Sequence, residues 1–279
     1  PLFLPQPPEP GRLQARSDEL LAGFVREPGL RVDWHLSVAD FGDRGRLCSV
    51  IDRALTGAAV GFVFDHPRRP VALAEGLDRD RPAALLVAGL HLPALAGQPG
   101  MLADPERFLQ RLGSLVRLAL SAAVQKRAFL RRQPRAGADV TSGFLLDRAR
   151  FVAVPVGLDE VVRQYTGWGM SNGGPSLEFG RRVVRRLADV LRDDGRRAQL
   201  DACLDGPFSF ELNGVAGPTP WDAAAPPRSQ LRAGGAVHSA GGLGTLALFV
   251  GDETPGAVAD LLEQAWRQTD VVRLRLLRG

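Results

Sequence analysis

The chain reads as an α/β fold of alternating strands and helices whose sheet closes in the manner of a barrel. Three observations predict it. Leu85–Leu90 is a short apolar run of strand length, broken at His91-Leu92-Pro93 and followed, after a Gly/Pro-bearing loop, by a long helical stretch. In that stretch Phe108, Leu109, Leu112, Leu115, Val116, Ala119, Leu120 and Ala123 keep the period of a helix packed on one side. Further apolar runs at Ala58–Phe64, Phe151–Val156 and Thr245–Val250 are separated by amphipathic stretches, the alternation of an α/β architecture.

Residues 1–12 are Pro-rich and read as an extended arm, and Leu13–Val25 as a helix, so that 1–29 stands apart as an N-terminal arm and helix before the domain at 30–279. Leu30–Val38 alternates and predicts a strand carrying Trp34 and His35; Asp43–Leu55 predicts a helix stopped by Gly57. The run from Asp65 to Pro70 holds two prolines and cannot be regular structure, while Val71–Ala74 is extended again. Asp104 is placed to cap the central helix, with Pro105 at its first position. A polar linker at Gln133–Ser142 precedes the strand Phe151–Val156, and Gly157-Leu158-Asp159-Glu160 opens a helix. After the Gly/Ser-rich loop Trp168–Pro175 come a long helix at Ser176–Asp193 and a strand at Phe208–Leu212. Asn213–Gly235 reads as a long irregular segment of the kind that often carries function. A glycine hinge, Gly241–Gly244, leads into Thr245–Val250, then a helix at Pro255–Gln268 and a closing strand at Val271–Leu277.

Composition excludes several classes. A net charge of +4 is modest, and the basic residues are arginines apart from Lys126. Arg181-Arg182 and Arg185-Arg186 sit among acidic residues with no interleaved aromatics, which is the pattern of a solvated helix face and not of a nucleic-acid interface. No apolar run reaches the length that spans a bilayer, and the first residues lack a secretion signal, so the expectation is a cytoplasmic protein without membrane partners. Cys48 and Cys203 form no CxxC or disulfide pattern, and with four scattered histidines they predict no metal site.

Candidate chemistry rests on a few side chains. His91, at the end of a buried strand, is an acid/base or hydrogen-bonding candidate set against a satisfied rim histidine. His35 beside Trp34 has the same two readings. Ser209 and Glu211 lie two apart and share a strand face, which points to a cavity or to solvent. Ser239 precedes the hinge, and Gly241 and Gly242 either let a backbone approach a phosphate or serve a tight turn. The sequence leaves the cofactor open.

The order of these stretches resembles the catalytic domain of class III anaerobic ribonucleotide reductases, which are glycyl radical enzymes. Gly89-Leu90-His91-Leu92-Pro93, then Asp104-Pro105-Glu106-Arg107-Phe108 through Lys126-Arg127, is similar to that family's "INLPR" strand, acidic loop and long helix. Trp34-His35-Leu36-Ser37 with Asp40-Phe41 resembles its early strand, Val156–Glu160 its "GLNE" turn, and Phe208-Ser209-Phe210-Glu211 its "FSLE" strand. Gly241–Val250 followed by Gly251-Asp252-Glu253 resembles the glycine-led strand before the closing helix. The resemblance spans roughly residues 30–277 and implies a glycyl-radical-enzyme-like barrel or partial barrel.

The departures shape the functional expectation. The family's radical cysteine lies on a finger loop before the "INLPR" strand, and Phe64–Glu75 holds none. His91 stands where the family has asparagine, Ala94 where it has arginine, and Asn213–Pro218 replaces the phosphate-loop pattern "TPAE". The zinc ribbon and glycyl radical loop that the family adds do not precede Gly279. The sequence therefore predicts a truncated, degenerate relative: a non-catalytic subunit or nucleotide-binding scaffold, as a homo-oligomer or with a partner protein. The alternative is an enzyme that reuses the cavity for non-radical chemistry on a nucleotide-like or other small ligand through His91, Glu211 and His35.

Overall fold

A computed structural model of the chain describes residues 32–56, 60–66, 70–73, 76–132, 146–205, 224–242 and 244–277. Within them the expected alternation is present. The strand β1 (Val32–Leu36) leads through α1 (Val38–Gly42) and α2 (Arg44–Leu55) to β2 (Val60–Phe64). Next come β3 (Ala83–His91), α3 (Leu92–Ala96), α4 (Pro105–Arg132), β4 (Ala149–Val156), α5 (Leu158–Thr166), a 3₁₀ turn at Met170–Asn172 and α6 (Gly174–Arg197). The chain continues through β5 (Ala202–Leu204), α7 (Pro227–Gly241), β6 (Thr245–Phe249), α8 (Pro255–Gln268) and β7 (Arg273–Leu277).

The strands make two sheets, one ordered β1-β2-β7-β6 and one ordered β3-β4-β5. All pairs are parallel except β2 with β7. Parallel strands need helical crossovers, which is why their outward faces are apolar and covered. Phe62 and Leu274 pair across β2 and β7, and Leu246 joins them from β6, all three fully buried in the main core. Phe151 and Leu204 are buried in the same core from the second sheet, beneath α4 and α6. Hydrogen bonds among the described residues close no complete ring of strands. At the seam between the sheets, the carboxylate of Asp205, 1% exposed, accepts the backbone N–H of Thr245 at 3.1 Å.

Local chemistry explains the element ends. Asp43 caps α2 by accepting from Arg46 N–H at 3.1 Å, and Asp104 accepts from the N–H groups of Glu106 and Arg107 at 3.0 Å at the start of α4. Gly157, at φ 74°, turns β4 into α5 where an added Cβ would stand 2.5 Å from the Pro93 ring, so no side chain fits.

The described part of the extended stretch Val71–Ala74 makes a single bridge, Ala72 with Asp78. Two expectations need revision, and one short strand, β5, was not expected. The break at His91-Leu92-Pro93 is a short helix, because Pro93 sits in its first turn and Leu92 and Leu95 are buried. The irregular segment is helical from Pro227 onward, since Leu231, Ala233 and Val237 form a buried stripe and the glycines that suggested irregularity are contact points. A Cβ on Gly234 would lie 2.6 Å from Leu246, and one on Gly241 would overlap Val184 of α6. The three-residue β5 is too short to carry a periodicity. The strand expected at Phe208–Leu212, the helix expected at Leu13–Val25 and Gly57 lie outside the described residues.

Candidate functional site: a charged cleft between the sheets

Strand register sorts each sheet into an apolar outer face and a different inner one. On the four-stranded sheet, Asp33 pairs with Gly61 and His35 with Val63; Val63 pairs with Arg273, and Thr245 and Ala247 pair with Arg273 and Arg275. Paired residues share a side, so aspartate, histidine and two arginines line one face. On the three-stranded sheet the corresponding face carries Val87, Gly89 and His91 opposite Val152, Val154 and Val156, with Cys203 opposite Val152. Val152, Val154, Val156 and Cys203 form a small cluster separate from the main core. Residues of both inner faces, Arg150, Cys203, Thr245 and Arg273 among them, line one cleft of about 190 Å³.

The segment between β2 and β3 enters that cleft and is tied down there. Arg150 donates from Nη1 to Gly76 O at 2.8 Å and to Asp78 at 3.1 Å, and from Nε to Asp201 at 2.8 Å. Arg81 adds a second contact to Asp201 at 3.2 Å, and Asp78 accepts the N–H groups of Asp80 and Arg81. Two guanidiniums and two carboxylates balance, with Arg150 and Asp78 the more buried of the four. Gly76, at φ 72°, rests on the inner wall, where a Cβ would be 2.9 Å from Val152 and 3.3 Å from Cys203 Sγ. The Cys203 thiol faces Gly76 O at 3.5 Å. Burial pushes its pKa up to about 12, against a smaller downward pull from Arg150, so at neutral pH it is a thiol and not a thiolate.

Across the other sheet, Asp33 and Arg273 form an ion pair that bridges β1 and β7 over β2. Gly61 makes room for it: a Cβ there would stand 2.6 Å from Asp33 Oδ1 and 3.2 Å from Arg273 Nε.

At the carboxyl ends of β1 and β2, where open α/β sheets place ligands, His35 Nδ1 meets both Asp65 oxygens at 2.9 and 3.0 Å. The carboxylate fixes the ring and leaves Nε2 to face outward. His66 stacks on Trp266 with centroids 4.1 Å apart, and Phe41 and Phe64 pack on the same indole, so aromatic rings flank the dyad.

His91 is exposed at the end of β3, and its Nδ1 accepts from Ala94 N–H at 3.0 Å, capping α3. Accepting there puts the ring proton on Nε2. Asparagine, the residue in the resembled pattern, is also a strong helix cap, so the exchange preserves this function. His91→Ala is expected to lower stability by about 1 kcal/mol in urea unfolding, and His91→Asn by only a few tenths. Equal losses in the two variants would remove the capping role.

The remaining sequence candidates divide. Glu211, Ser209 and Asn213 lie outside the described residues. Ser239 is exposed on α7, in a groove apart from the cleft. Gly241 ends α7, and Gly242 caps it in the left-handed region at φ 66° with its N–H bound to His238 O at 2.7 Å. That N–H is engaged, and a helix carboxyl end carries negative partial charge, so this turn is no phosphate cradle. His35 and His91 belong to different sheets. Sequence reasoning missed Asp65, Asp78, Arg150, Asp201 and the inward-facing Cys203. Among the described residues no three His, Cys, Asp or Glu side chains gather as a metal would need, and no helix is long and apolar enough to cross a membrane.

No protein-family model matches the chain, and no curated protein is similar to it in sequence. Solved structures are similar to it in fold. The anaerobic ribonucleotide reductase from Thermotoga maritima with citrate in the active site superposes with a TM-score of 0.69 at 12% identity, over 96% of this chain and 56% of that one. The same enzyme in complex with dATP and CTP gives 0.64 at 13% identity, over 95% and 51%. A further anaerobic ribonucleotide reductase gives 0.62 at 12%, over 93% and 47%. The chain spans about half the length of the structures it matches, and over that length it shares the mixed α/β fold of the anaerobic ribonucleotide reductases.

Proposed function

We propose that this chain is a ribonucleotide-reductase-like, ligand-binding protein that does not itself reduce ribonucleotides, a half-barrel scaffold or subunit holding a nucleotide-like ligand at its inter-sheet cleft. One observation carries the reading: the segment pinned into the cleft by Arg150 has no cysteine, and the thiol it covers, Cys203, lies on the opposite wall beneath Gly76. Abstraction of hydrogen from a ribose needs a thiyl radical presented to substrate, and neither Cys203 nor Cys48 on the helix α2 is placed to present one. The inner faces nevertheless leave an open volume walled by Arg150 and Arg273 beside their carboxylate partners, a polar lining that suits a nucleotide-like ligand. Solved relatives in fold include complexes with dATP and CTP. Edge strands β1 and β3 leave room for a second copy or a partner subunit.

Thermal unfolding of the full chain against nucleoside di- and triphosphates tests it. A ligand at a hundred times its dissociation constant stabilises by about 2.7 kcal/mol, which for a chain of this size is a rise of about 5–10 °C in Tm. An unchanged Tm with every nucleotide at millimolar concentration would sink the proposal.

The His35–Asp65 dyad favours a second reading, in which the same ligand undergoes acid/base chemistry. A carboxylate on Nδ1 orients an imidazole to exchange a proton at Nε2. If the protein turns over a nucleotide, His35→Ala should slow it by about 10²–10⁴-fold. Turnover that survives the substitution would remove His35 from the chemistry.

A further inference from the structure

A second concavity lies between α7 and α8 and shares no lining residue with the cleft. Its volume is about 520 Å³, within the range of small-molecule sites. The helices meet at Gly235, where a Cβ would be 2.7 Å from Thr269 Cγ2, and the groove opens beside that contact. Arg228, Arg232 and Ser239 face it from α7, at spacings of four and seven that keep them on one stripe. From α8 come Gln264 and Gln268, one turn apart and joined by a bond from Gln264 Nε2 to Gln268 Oε1 at 3.2 Å. That bond leaves Gln264 Oε1 and Gln268 Nε2 to meet a ligand.

The charge balance gives the groove its character. Elsewhere on α8 cation and carboxylate match: Arg267 pairs with Glu263 at 2.6 Å, and Asp260 takes Arg44. Among the described residues Arg228 and Arg232 make no ion pair, and Asp270 is the one carboxylate on the lining, so two guanidiniums stand against one negative charge. Two guanidiniums one helical turn apart, flanked by amides and a hydroxyl, match a phosphate group, which takes bidentate bonds from arginine. We infer that the α7–α8 groove is a binding site for a phosphorylated small molecule, with Arg228 and Arg232 holding the phosphate and Gln264 and Gln268 reading the polar remainder. This inference is independent of the cleft.

Calorimetric titration of the full chain with inorganic pyrophosphate in 0.15 M salt tests it. Saturable binding is expected, weakened at least tenfold in the Arg228→Ala/Arg232→Ala double variant. Arg107→Ala/Arg111→Ala is the control: those arginines have the same spacing on α4 and line a surface hollow of about 480 Å³ formed by that helix and the loop before it. The control should bind as the wild type does, and circular dichroism melts show whether each variant is folded. Absence of saturable binding by the wild type overturns the inference. So does a control that loses affinity as much as the Arg228/Arg232 variant, or a variant pair that both bind normally, since each outcome means adsorption to a basic surface.

Discussion

Replacing Arg150 with alanine should lower the unfolding free energy by about 3–5 kcal/mol and open Cys203 to alkylation, the scale of breaking a buried ion pair. Arg150 is 16% exposed and serves Gly76 O, Asp78 and Asp201 at once. Its removal leaves two carboxylates with diminished compensation beside the valine cluster and frees the segment that covers the thiol. The electrostatic and structural consequences for Cys203 have opposite signs, which makes the labelling informative. Arg150 pulls the thiol pKa down, so deleting its charge alone would leave the sulfur less reactive than before. Faster reaction with iodoacetamide at pH 8, followed at Cys203 by mass spectrometry, can arise only from opening of the segment. Arg150→Lys keeps one charge but loses the fork that reaches both aspartates, and should fall between the two. Unchanged labelling together with unchanged urea stability would show that the segment is held by other contacts.

Asp33→Ala is expected to cost a similar 3–5 kcal/mol. Arg273 is 6% exposed and Asp33 18%, so the pair is withdrawn from water and the Asp33 carboxylate is matched there by the Arg273 guanidinium. The pair also straps β1 to β7 across β2, at the place where parallel pairing gives way to antiparallel. Asp33→Asn keeps the shape and one acceptor and should cost less. Gly61→Ala attacks the same strap from below, since the new methyl group takes the space the carboxylate occupies. Urea unfolding of the three variants should rank Asp33→Ala as worse than Asp33→Asn, with Gly61→Ala clearly below wild type. A loss under about 1 kcal/mol for Asp33→Ala would assign the pair the weight of a surface contact.

What the sequence made legible is the outer half of the molecule. The helices α4, α6 and α8 and the strands β1, β2, β3, β4 and β6 follow from apolar periodicity, because their outward faces are covered by one another. Asp104 was readable as a cap because a cap is a local event. The inner faces were not readable: Arg150 meets Asp78 and Asp201 across long stretches of chain, and no spacing in a single sequence encodes such a meeting. His35 could be placed at a strand end, but its partner Asp65 is thirty residues away. The glycines of α7 misled for a specific reason. Their low helix propensity is local, whereas the packing against Leu246, Thr269 and Val184 that offsets it is tertiary.

The strap from Asp33 to Arg273 joins residues 240 positions apart, and this bears on how the protein is made. A ribosome that has finished β1 and β2 has almost the whole of the described chain still to synthesise before β7 exists. Until then β2 presents an unpaired edge, and Asp33 has no counter-charge. Such non-local pairing slows folding and exposes an edge that can recruit another molecule. The nascent chain must therefore keep β1 and β2 from pairing elsewhere while everything between them and β7 is made, and yield of the folded protein depends on how well they are sheltered while they wait.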